Sequence, residues 1–152
     1  MAIDKTKQHS VGTVNSADIL TIPEVFAGED LENYSIVELA YDGDKRLAKY
    51  STGEAKQYLV AASEYMYEGE LFIDFYVGKD EGFRPVHLKE GLRFETSNFE
   101  IDNPERGQLV AWDIEKKKFA LATEASVGAS YKVVHVGGIL QFGVPMVRLE
   151  VQ

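Results

Sequence analysis

The chain has no cysteine among its 152 residues. Disulfide stapling and thiolate metal centres are therefore excluded, whatever compartment the protein reaches. It has only three histidines, and His9, His87 and His135 are scattered, with no pair at the i+2 or i+4 spacing that chelates a metal. No apolar run approaches the roughly 20 residues that span a bilayer as a helix. The N-terminal MAIDKTKQHSVGTVNS has no apolar core of a secretory signal, so folding in the cytoplasm is expected. Basic residues are also short, 16 against 25 acidic ones, for a net charge of −9. Such a surface repels phosphate, which argues against nucleic acid as a partner.

Motifs of catalysis are missing as well. Gly137-Gly138 lacks the Lys-Ser/Thr of a phosphate loop and reads as a bulge or tight turn. Asp42-Gly43-Asp44 lacks the terminal glutamate of a calcium loop and reads as a hairpin turn. The closely spaced acids at 64–70 specify no metal geometry and no glycosidase pair. The expectation is a protein that is not an enzyme and carries no cofactor and no metal.

What is present is β-forming sequence. Eight Tyr, eight Phe and one Trp favour strands over helical bundles. Val147, Leu149 and Val151 alternate with Arg148, Glu150 and Gln152, the period of a strand with one buried face. Val37, Leu39 and Tyr41 share a face before the Asp42-Gly43-Asp44 turn, and residues 46–50 can return from it. Residues 57–62 combine helix and strand formers, and their brevity favours a strand. Residues 19–26, interrupted by Pro23, suit an edge strand. Leu92 to Thr96 alternates cleanly, and Phe99 to Asp102 follows after a Ser-Asn turn.

Nine to eleven strands at a spacing of about 8–12 residues predict an all-β fold, a single-domain β-barrel or β-sandwich. Residues 1–20 are polar and aperiodic and read as an extended N-terminal arm, with the barrel or sandwich domain at 21–152. Asn103-Pro104-Glu105-Arg106-Gly107 is the strongest loop signal and could separate two halves, but neither half looks large enough to stand alone.

Two segments are candidate contact surfaces. Between residues 64 and 81, acids alternate with Tyr65, Tyr67, Phe72, Phe75 and Tyr76. Alternation would turn some of these rings away from the core, as at protein interfaces; the bland reading is that they close one end of the barrel. Lys116, Lys117 and Lys118 form the only basic run, between two apolar stretches, and suit a hairpin tip that steers an acidic partner. Trp112 with surface tyrosines could stack on a sugar, although a tryptophan inside an apolar strand is usually core.

Glu64-Tyr65-Met66-Tyr67-Glu68 after Ala61-Ala62-Ser63, and the segment from Phe83 through Arg84 and Phe94 to Thr96, resemble small structural proteins of tailed bacteriophages encoded beside the major capsid protein. The ending, with Gly107-Gln108-Leu109-Val110 running to Asp113, a basic hairpin and a closing strand pair, is similar to capsid decoration (cement) proteins. The resemblance spans roughly residues 35–152. Val86 departs from a common aromatic and Arg93 from a usual aspartate. The resemblance implies a virion structural protein on the capsid surface, bound to the major capsid protein and stabilising the shell. It further implies a homo-oligomer, in many such proteins a trimer. Other virion assembly roles (head-fibre base, head–tail connector, tail-tube subunit) and a carbohydrate-binding β-barrel are the alternatives.

Overall fold

The computed structural model describes residues 9–16, 19–62, 75–137 and 144–152. Among them are thirteen strands and no helix, so the all-β expectation holds. The count exceeds the expected nine to eleven because four of the strands have only two residues, too short to show a period.

The chain builds two sheets. The larger contains β1 (Gly12–Val14), β8 (Arg93–Thr96), β9 (Phe99–Glu100), β10 (Leu109–Asp113), β11 (Lys118–Leu121), β12 (Ser130–Val136) and β13 (Val147–Val151). Its spatial order is β1-β8-β13-β12-β10-β11-β9. The smaller contains β2 (Val25–Ala27), β3 (Ile36–Asp42), β4 (Lys45–Tyr50), β5 (Tyr58–Leu59), β6 (Gly82–Phe83) and β7 (Val86–His87), in the order β6-β2-β4-β3-β5-β7. The loop at 103–107 lies between β9 and β10 of one sheet, so it does not divide the molecule.

The two ends of the six-strand row are β6 and β7, which only Arg84-Pro85 separates in the chain. β2 pairs with β6, and Thr21, just upstream of β2, bridges Val86 of β7. The small sheet therefore curls until its ends meet. Inside the curl lie Val25, Ala27, Leu31, Val37, Ala48, Val60 and Val77. Ile36, Leu59 and Val86 belong to the other core, with Phe94, Trp112, Phe119 and Tyr131 of the large sheet. This explains why neighbours Ile36 and Val37 are both fully buried: each face of β3 has its own core. β2, expected at an edge, instead pairs in parallel with β4 and antiparallel with β6.

Within the large sheet the alternation of β13 is realised, with Val147, Leu149 and Val151 buried between half-exposed neighbours. Phe119 stands at the centre of an aromatic cluster. Its ring meets those of Trp112 and Tyr131 edge-on, at 5.1 Å in each case. Such pairs contribute about 0.5–1.5 kcal/mol beyond area burial. Trp112 is 2% exposed, so it has no face to offer a sugar.

Candidate interaction surface

The hairpin between β10 and β11 presents the basic run. Asp113 Oδ1 accepts the backbone N–H groups of Glu115 and Lys116, both at 3.0 Å, and the Lys117 N–H donates to the Asp113 carbonyl at 2.8 Å. Lys117 closes the turn in the left-handed region, at φ 56°. Its ammonium lies 4.5 Å from the centre of the Tyr50 ring. The three lysines are thus not equivalent. Lys116 and Lys118 stay exposed, with Lys116 at 3.6 Å from the equally exposed Glu100. Lys117 is folded back onto β4, a cation–π contact that holds the tip in place.

Asn98, in the turn between β8 and β9, fastens the same tip from below. Its Nδ2 donates to the Tyr34 carbonyl at 3.1 Å and lies 3.4 Å from the Lys117 carbonyl. Sequence reading missed both Asn98 and Tyr50. The polar Ser97-Asn98 pair between two strands was the one local hint; their convergence depends on how the sheets pack.

Burial pushes the Tyr50 phenol up to about 12, with the carboxylates of Glu32 and Glu29 adding to the rise, while its hydrogen bonds act in the opposite sense. The Glu32 N–H donates to the Tyr50 oxygen at 2.9 Å. Tyr131 is raised by burial alone.

Of the aromatic-acidic segment, Tyr65, Tyr67 and Phe72 lie outside the described residues. Phe75 is 7% exposed and belongs to the core inside the curl, so its ring is no contact surface. Apolar burial outcompetes display here because Leu31 and Val77 pair directly beside it. Tyr76 is half-buried, its ring centre 5.0 Å from that of His9.

His9 belongs to the N-terminal segment, which is docked on the molecule itself over residues 9–16. His9 Nδ1 lies 2.7 Å from Glu32 Oε1, and the Ser10 N–H donates to Glu32 Oε2 at 3.1 Å. Gly12–Val14 then pair with Thr96–Phe94 of β8. A Cβ on Gly12 would stand 2.2 Å from the Glu95 carbonyl oxygen and 2.9 Å from the Tyr34 ring. Only glycine lets the strand approach this closely.

Behind β1, the ladder of β8 and β13 carries two ion pairs. Arg148 holds Glu95, which is fully buried, through both Nε at 2.9 Å and a guanidinium NH2 group. Arg93 Nε and Glu150 Oε2 meet at 2.5 Å nearer the solvent. His135 stands exposed on β12, and His87 is half-buried on β7. Among the described residues, no group of three or more His, Asp or Glu is placed to hold a metal, and no helix is long and apolar enough to cross a membrane.

A family model described as "YonC prophage protein" matches residues 5–152. The chain is similar to the protein of Bacillus subtilis (strain 168) described as "SPbeta prophage-derived uncharacterized protein YonC". They are 32% identical over 168 aligned positions, covering 99% of this chain and 94% of that protein. No solved structure matches. The chain belongs to the YonC prophage protein family and is phage-derived.

Proposed function

We propose that this prophage-family chain is a virion structural protein that binds the outer surface of a phage capsid and stabilises the shell. Membership of a prophage protein family over nearly the whole chain is the observation that carries the reading. The fold supports it. Two cores share one curled sheet, and the β10–β11 tip is tied to the body by Asn98 and Tyr50. A body of this kind loses little conformational freedom on docking, which favours affinity per contact. In this proposal the partner is the major capsid protein, met by Lys116 and Lys118 at the tip and by Tyr76. The protein is made in the host cytoplasm and ends on the capsid surface. Repeated copies, as monomers or as a homo-oligomer such as a trimer, bridge shell subunits and gain avidity from linked contacts. The role is binding, with no catalytic step and no cofactor.

A second reading stays within the virion: a head-fibre base, connector or tail-tube subunit. It is favoured by the row of the large sheet, which among the described residues ends in the short strands β1 and β9 and could be extended by a neighbouring copy. Co-sedimentation with capsids of the source phage, before and after shell maturation, separates the two. Binding to mature shells in numbers comparable with the major capsid protein supports decoration. Absence of binding by folded protein rejects it, and rings or tubes of the isolated protein favour the second reading.

A further inference from the structure

The loop after β4 and the loop before β12 interlock. Gly128, at φ 82°, leaves no room for a Cβ, which would fall 2.2 Å from Gln57 Oε1. Gln57 is buried; its Oε1 accepts the Ala129 N–H and its Nε2 donates to Ser51 Oγ, both at 2.9 Å. The large sheet is thereby fastened to the rim of the curled one, and a cleft of about 440 Å³ opens beside the junction. Its volume falls in the range of functional clefts, about 300–1,000 Å³.

The lining of this cleft reverses the character of the molecule. In a chain of net charge −9, no carboxylate lines it among the described residues, whereas Lys56, Lys89 and His87 do. Glu54 and Glu90, close in sequence, are exposed and take no part in the lining. Leu20 and Leu88 supply apolar surface, Leu20 being 58% exposed. These side chains are positioned. β5 and β7 pair Tyr58 with His87, their rings meet edge-on at 5.3 Å, and the Lys56 ammonium lies 5.6 Å over the Tyr58 ring. The His87 N–H donates to the Leu20 carbonyl at 2.8 Å, which fixes the apolar wall against the polar one.

We infer that this cleft docks an acidic peptide segment, one carboxylate beside Lys56 and His87 and an apolar side chain against Leu20 and Leu88. Charge complementarity selects the anion. The apolar wall and the overall negative charge select a peptide over a nucleic acid, whose affinity rests on many neutralised phosphates. The inference is independent of where on the virion the protein acts.

The test is fluorescence anisotropy of full-length protein titrated into a labelled, N-acetylated peptide alternating glutamate and leucine. Saturable binding that weakens with salt is expected, because exposed charges are screened beyond about 10 Å. Lys56→Glu should weaken it about fivefold, as expected for an exposed ion pair near the upper end of its usual strength. His87→Gln should weaken it as well, with both variants melting like the parent. Lys132→Glu, on the large sheet and outside the lining of the cleft, should leave binding unchanged. Equal binding of a glutamine–leucine peptide, loss of affinity in the Lys132 variant alone, preference for a single-stranded oligonucleotide, or no peptide binding would each overturn the assignment.

Discussion

Replacing Gly12 by alanine should undo the docking of the N-terminal segment. The added methyl would stand 2.2 Å from the backbone carbonyl of Glu95, and a backbone atom in a paired strand cannot swing away as a side-chain tip can. β1 must then lift from β8. Fully buried Val11 loses its site, and so do its two bonds to Ser97, the Val11 N–H to Ser97 Oγ and the Ser97 N–H to the Val11 carbonyl, both at 2.9 Å. Burial of a valine is worth about 1.5–3 kcal/mol, and each hydrogen bond about 1 kcal/mol net. Release of the segment returns backbone entropy and offsets part of this. A destabilisation of about 3 kcal/mol is expected, the upper end of the overpacking range. For a domain of this size it lowers Tm by roughly 6–12 °C. Gly43→Ala is the control: Gly43 has a positive φ, 61°, but nothing lies within 4 Å of its would-be Cβ, so it tests backbone strain without a clash. It should cost only about 1 kcal/mol. Calorimetry of the two variants decides. A Gly12→Ala protein melting within about 1 °C of the parent would refute the close approach of β1 and β8, since a real clash costs about 1 kcal/mol at the least.

Three further outcomes follow from the same structure. Trp112→Ala should lose about 3–5 kcal/mol through the cavity left beside Phe119, read by urea unfolding; a loss below about 1 kcal/mol would mean that the ring is not in the core. Tyr50 has a folded pKa raised from 10.0 to about 12. Its contribution is therefore complete below pH 10 and disappears as pH rises through about 12, a span of about 2–3 kcal/mol at most. Stability of the parent measured from pH 9 to 12 should fall more steeply than that of Tyr50→Phe, and parallel curves would contradict the burial of the phenol. Glu95→Ala strands Arg148 beside a buried site and should cost clearly more, about 2–4 kcal/mol. Glu150→Ala breaks a pair whose arginine is 50% exposed, and should cost about 0–1 kcal/mol; chemical denaturation giving the reverse order would reject the assignment of these roles.

Parts of both sheets were legible because their signals are local. The alternation in β13 needs only each residue and its neighbours, as does the Gly43-Asp44 turn between β3 and β4. The pairing of Tyr58 with His87 is another matter. It joins two strands of two residues each, far apart in the chain, and no periodicity can announce a two-residue strand. Lys56 and His87 therefore looked unrelated, and the lysine run at 116–118 drew attention because it is contiguous. Contiguity misled in part, since the left-handed turn at Lys117 sends that ammonium onto Tyr50.

By itself the sequence determined the β class, the absence of thiol chemistry and the buried face of the strands that have one core. Those follow from composition and from the two-residue period of a pleated chain. Only the tertiary structure decided that the small sheet closes on itself, that β3 serves two cores, that Phe75 points inward and that residues 11–16 lie along β8. Each of those outcomes depends on surfaces contributed by residues distant in the chain. Burial against such surfaces outweighs the local preference that a sequence displays.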